Sequence, residues 1–83
     1  MNKELSKHDI LVKLSIIGKS VDELEDIYNE MYYAAQDVIS INENAADSTK
    51  IYLTNCRPLI LKQILNIRKP LIELAQSIAR MED

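Results

Sequence analysis

Tryptophan and phenylalanine are missing from this 83-residue chain, and it has one cysteine, Cys56, one histidine, His8, one glycine, Gly18, and two prolines, Pro58 and Pro70. Each scarcity closes a route. A single cysteine excludes a disulfide within the chain, and one cysteine with one histidine and no ligand cluster leaves no metal site to read. Few turn formers and few β-signals point away from strands and toward helices. Lys13, Lys62, Gln63, Arg68 and Lys69 interrupt the apolar runs, so nothing approaches the ~18 to 20 residues that cross a bilayer. Met1 to Leu5 lack a signal-peptide layout. The expectation is a cytoplasmic, reducing compartment with Cys56 as a plain thiol and no membrane association.

What the chain does contain is aliphatic mass. Hydrophobic residues make up 47% of it, almost all Ile, Leu, Val, Ala and Met. At this length the chain is one domain, residues 1–83, and a core this small rarely yields more than ~3 to 5 kcal/mol without a staple. With disulfide and metal removed, a partner or a second copy remains.

The clearest pattern is a seven-residue rhythm through Leu53, Arg57, Ile60, Ile64, Ile67, Leu71, Leu74, Ile78 and Met81, in steps of four and three. That periodicity predicts a long helix packed lengthwise on other helices. The fold expected is all-α: a short N-terminal helix (about 7–17) followed by an antiparallel helical hairpin (about 21–42 and 48–81), with the small bundle completed by oligomerisation. Ser6 and Asp9 mark the first start, and Gly18 closes that helix. Ser20 with Glu23 three residues on reads as a capping box for the second. Its seam is Val21, Leu24, Tyr28, Met31, Ala35 and Val38. Asp47 or Ser48 is expected to cap the third, which Pro58 and Pro70 should kink or break, Pro70 the more so.

Charge is segregated along the chain. Residues 20–47 hold eight acids and no base, whereas residues 48–81 hold six bases against Glu73 alone. Opposite charge favours pairing of these two segments in a register that brings Arg68 and Lys69 near Asp22 and Glu23. The last segment is apolar well beyond its seam, with Leu61, Leu65 and Ile72 widening the stripe past what one neighbour can cover. These three residues are the expected oligomer face.

Candidate sites are few. Asp26, Glu30, Tyr33 and Asp37 follow one another at spacings of four, three and four, opposite the seam. An exposed Tyr among carboxylates suits a docking face for a basic protein, which could be one that itself binds nucleic acid. Arg57 stands at a seam position and, with Lys62, is the candidate for binding an anion such as a nucleotide. The alternative expectation is that Arg57 pairs with Glu30 or Asp37, or leans out at a proline-distorted turn. A net charge of −3 and a thin basic stripe argue against nucleic acid binding by the chain itself. His8 beside Asp9 has no nucleophile in a defined relation to it, so the chain reads as non-enzymatic and without cofactor. The connection Asn42 to Ala46 lacks the tryptophan-glycine turn of one secreted hairpin family.

The expected function is that of a small interaction module that inhibits or sequesters a basic protein partner, in the manner of phage or plasmid inhibitors, antitoxins or immunity proteins. The alternatives are an oligomeric anion or nucleotide binder using Arg57 and Lys62, and a chaperone-like or secretion-partner hairpin.

Overall fold

A computed structural model describes residues 6–42 and 44–82; Met1 to Leu5, Glu43 and Asp83 lie outside the described residues, and with them the reading of the first five as carrying no leader. The described residues form two helices, α1 (Lys7–Ile41) and α2 (Asp47–Ala79). They run antiparallel, because Arg68 meets Asp22 and the Lys7 ammonium donates to the Met81 carbonyl. No helix of the described residues is long and apolar enough to cross a membrane.

Three expected helices are thus two, since α1 runs through Gly18 without a break. Glycine in a helix interior costs only about 0.5 to 1 kcal/mol relative to alanine, too little to end a helix whose seam continues on both sides. The Ser20–Glu23 capping box does not form. The Ser20 hydroxyl instead donates to the Ile16 carbonyl one turn back, inside the helix (3.0 Å). The cap that does form is at Ser6, whose hydroxyl accepts from the Asp9 amide while the Asp9 carboxylate accepts from the Ser6 amide.

Neither proline interrupts α2. Both are exposed, so the Thr54 and Asn66 carbonyls, which lose their i+4 donors, sit on the solvent side where water can satisfy them. At the start of α2 the N-cap is Ala46 with no side-chain hydrogen bond, in place of Asp47 or Ser48.

Along α1 the inward seam runs through Leu11, Leu14, Gly18, Val21, Glu25, Tyr28, Tyr32, Ala35 and Ile39, all buried or half-buried in an unbroken alternation of threes and fours, with Lys7, Asp9, Ile10 and Asn29 half-buried beside it. On α2 the buried or half-buried positions are Leu53, Cys56, Arg57, Leu61, Ile64, Arg68, Leu71, Ala75 and Ile78. Half of the expected seam is present. The other half is displaced by one residue, so that Glu25, Tyr32, Ile39, Leu61, Arg68 and Ala75 face inward while Leu24, Met31, Val38, Ile60, Ile67 and Leu74 remain exposed. At 100° per residue, alternate one-residue displacements turn each helix by about 50° about its axis. Two features favour this phase. Glu25 and Arg68 satisfy each other across the seam, and Ala35 and Ala75 are small enough to let the backbones approach.

The result is a thin core. Among the described residues, Val21, Tyr28, Tyr32 and Ile64 are buried, and Ile64 is the most enclosed at 3% exposure. The radius of gyration is 19.1 Å, against about 12 Å for a compact chain of this length. The accessible surface is 6905 Å², against about 5,000 Å² for a compact monomer of this mass.

Candidate functional site

The outward face of α1 carries the expected acidic stripe. Asp26, Glu30, Tyr33 and Asp37 are all exposed, and Tyr33 at 58% is the most open aromatic ring of α1. None of the three carboxylates forms an ion pair with a base among the described residues. By contrast, Asp22 and Glu25 on the seam edge both receive the Arg68 guanidinium at 2.8 Å. Hydrogen bonding to Glu25 first, and then to Asp22, raises the Arg68 pKa above its already high ordinary value. Of the acids of α1, Asp22 and Glu25 are thus engaged by Arg68, whereas Asp26, Glu30 and Asp37 form a line left open to solvent.

Tyr33 is braced from behind. Its ring meets Tyr32 edge-on, with centroids 5.6 Å apart at 80°. The Arg57 guanidinium lies 4.3 Å from the Tyr32 centroid, 5.6 Å from that of Tyr33 and 5.9 Å from that of Tyr28. A planar cation over aromatic faces is attracted by the ring quadrupoles, by ~0.5 to 2 kcal/mol per contact depending on solvent access. Tyr32 is buried at 7% and its hydroxyl accepts a hydrogen bond from the Gln36 amide at 3.2 Å. The docking candidate is thus a fixed ring backed by a cation, not a free side chain.

Arg57 and Lys62, read together as an anion site, are not brought together. Lys62 is exposed, and five residues place it some 140° further round the helix from Arg57. The Arg57 guanidinium is committed to the tyrosine rings; its Nη1 is buried and makes no hydrogen bond. It also does not pair with Glu30 or Asp37; the guanidinium lies against the tyrosine rings instead, a contact that suits a planar, weakly hydrated cation. This cluster was missed by sequence reasoning, although a signal existed: Tyr28 and Tyr32 are four residues apart, and the charge-derived register sets Arg57 opposite them.

Leu61, Leu65 and Ile72 lie within about 40° of one another on α2 but differ in burial. Leu61 is half-buried in the seam, whereas Leu65 (59%) and Ile72 (50%) stand exposed along the edge marked by Asp22 and Lys69. His8 is exposed in the first turn of α1, and Cys56 is a free, half-buried thiol. Asp9 has its carboxyl held below the usual range, mainly by the hydrogen bond from the Ser6 amide and then by that from the Ser6 hydroxyl.

Comparison with family models, curated proteins and solved structures gives no match.

Proposed function

We propose that the protein is a non-enzymatic interaction module that docks a basic protein surface through Asp26, Glu30, Tyr33 and Asp37, and so occludes or sequesters that partner in the cytoplasm. It acts as a homo-oligomer. The observation that carries the docking reading is the division of the α1 acids: Asp22 and Glu25 on the seam edge share the Arg68 guanidinium, while the outward line is unpaired and surrounds a braced, exposed tyrosine. Interface hot spots are enriched in Tyr, and a preorganised ring loses little entropy on contact. Uncompensated carboxylates steer a basic partner in and disfavour an acidic one.

The test begins with the partner, captured on the tagged wild-type chain from its native host and identified by mass spectrometry. Affinity is then measured for Tyr33→Ala with Glu30→Ala. Losing a hot-spot residue of ~2 kcal/mol or more weakens binding at least ~30-fold, with helicity by circular dichroism unchanged. Undiminished affinity in the double variant removes the reading.

A further inference from the structure

The two long sides of the helix pair differ in kind. One is marked by the Asp22–Arg68 ion pair and carries Leu65 and Ile72. On the other, the displaced seam leaves aliphatic residues standing at seven-residue intervals from both helices. Because the helices are antiparallel, positions one residue before the seam on α1 and on α2 fall on the same side. In the register set by Arg68 and Asp22 they meet in pairs: Ile17 with Leu74, Leu24 with Ile67, and Met31 with Ile60, each 38 to 50% exposed.

Charge separates the two sides further. The twenty positions of the aliphatic side are 10, 17, 24, 31, 38, 53, 60, 67, 74 and 81 with their outer neighbours 13, 20, 27, 34, 41, 49, 56, 63, 70 and 77. They include one charged residue, Lys13, in a chain that is 28% charged. The equivalent twenty on the opposite side include five: Lys19, Asp22, Asp26, Lys62 and Lys69. Depletion of charge at the centre is the compositional mark of an interface core.

We infer that this face is covered by a second copy of the chain, closing a four-helix bundle about a two-fold axis parallel to the helices. Area supports the second copy. The molecule measures 62 × 23 × 19 Å and the face runs along it for about 45 Å, from residue 10 to residue 41 of α1 at 1.5 Å per residue, room for the roughly 800 Å² per partner of a standard interface. The chain's excess of about 1,900 Å² over a compact monomer is more than the ~800 Å² that each partner loses in such an interface. Charge complementarity selects the axis. With the axis along the helices, each acidic α1 lies between its own basic α2 and that of the second copy. With the axis across them, α1 would lie on α1 and acid on acid. The chosen arrangement repeats the same pairs between copies, Leu24 against the second copy's Ile67 and Met31 against its Ile60. It leaves Asp26, Glu30, Tyr33 and Asp37 open on both copies.

This inference deepens the oligomer part of the proposed function and is independent of docking through Tyr33, whose failure would show as lost partner affinity with self-association intact. The test mixes two proteins of different mass, Met31→Cys and Ile60→Cys, each in a Cys56→Ser chain, under mild oxidation. The expected product is the mixed cross-linked species, formed far faster than 31–31 or 60–60 pairs. A dominant 31–31 product, or no cross-link at all, overturns the arrangement. In parallel, Leu24→Glu with Ile67→Glu weakens self-association at least a hundredfold, while Leu65→Glu with Ile72→Glu on the opposite side leaves it within a few-fold. The reverse ranking overturns the choice of face. Because the first double variant can lose its fold with its dimer, the cross-link stands as the readout on near-native protein.

Discussion

Replacing Ile67 by Ala separates a solitary helix pair from a closed bundle more sharply than any change at the seam. Ile67 is 48% exposed and Ile64, one turn away, is 3% exposed. Full burial of an Ile side chain is worth about 1.5 to 3 kcal/mol, and truncating a buried one to Ala costs about 2 to 5 kcal/mol. Ile64→Ala therefore belongs in that range whether or not the chain self-associates. Ile67→Ala does not. In a solitary pair, half-burial leaves about 1 kcal/mol to lose, and the better helix propensity of Ala returns a few tenths, so the net cost is about 0.5 to 1 kcal/mol. With a second copy over it, Ile67 becomes a core residue and its truncation costs at least about 2 kcal/mol per chain. Guanidinium unfolding followed by circular dichroism reads both variants. It should be run at two protein concentrations, since the stability of a dimer shifts by about 1.4 kcal/mol for each tenfold change. A cost for Ile67→Ala below about 1 kcal/mol, unchanged by dilution, refutes the reasoning.

Three other outcomes follow from local geometry. Tyr32→Phe keeps the ring under Arg57 and loses only the hydrogen bond from Gln36, so it costs about 0.5 to 1.5 kcal/mol. Tyr32→Ala costs about 3 to 5 kcal/mol; equal losses in the two variants, measured by denaturant unfolding, would show that the ring contributes nothing beyond its hydroxyl. Gly18→Ala raises stability by about 0.5 to 1 kcal/mol, because Gly18 is helical and a Cβ there meets no atom within 4 Å; a fall in melting temperature would mean that another chain approaches Gly18 closely. Acidification loosens the first turn of α1. The Asp9 carboxyl is held below its ordinary 3.8 by Ser6, so its contribution is complete above that value and is lost as pH falls through the folded-state pKa. The protection of the Asp9 and Ile10 amides, taken relative to intrinsic exchange at each pH, should fall across that range in the wild type and show no such fall in Asp9→Asn.

How much of this was legible in the chain divides along physical lines. Helix was legible throughout, because steps of three and four are a property of the sequence. So was the pairing of Arg68 with Asp22, because charge segregation fixes register at long range; the second acceptor is Glu25, not Glu23. Helix ends were less legible. Gly18 with Ser20 and Glu23 spells a stop and a start, yet local signals worth about 1 kcal/mol yield to a seam that continues through them. The phase of the seam was misjudged for a deeper reason. Ranking positions by hydrophobicity selects Leu24, Met31, Ile60 and Ile67, but one neighbour cannot cover so broad a stripe. The pair instead seats Glu25, Tyr32, Arg68 and Ala75, where charges meet and small residues let backbones close. Arg57 was legible as an anomaly but not as a solution, since its tyrosine partners come from the other helix.

The most direct test is the mass of the unmodified chain by sedimentation equilibrium over about a hundredfold range of concentration. A species of twice the 9.5 kDa chain mass, dissociating only on dilution and with loss of helicity, is the expected result. A stable, fully helical species of 9.5 kDa at every concentration would contradict it.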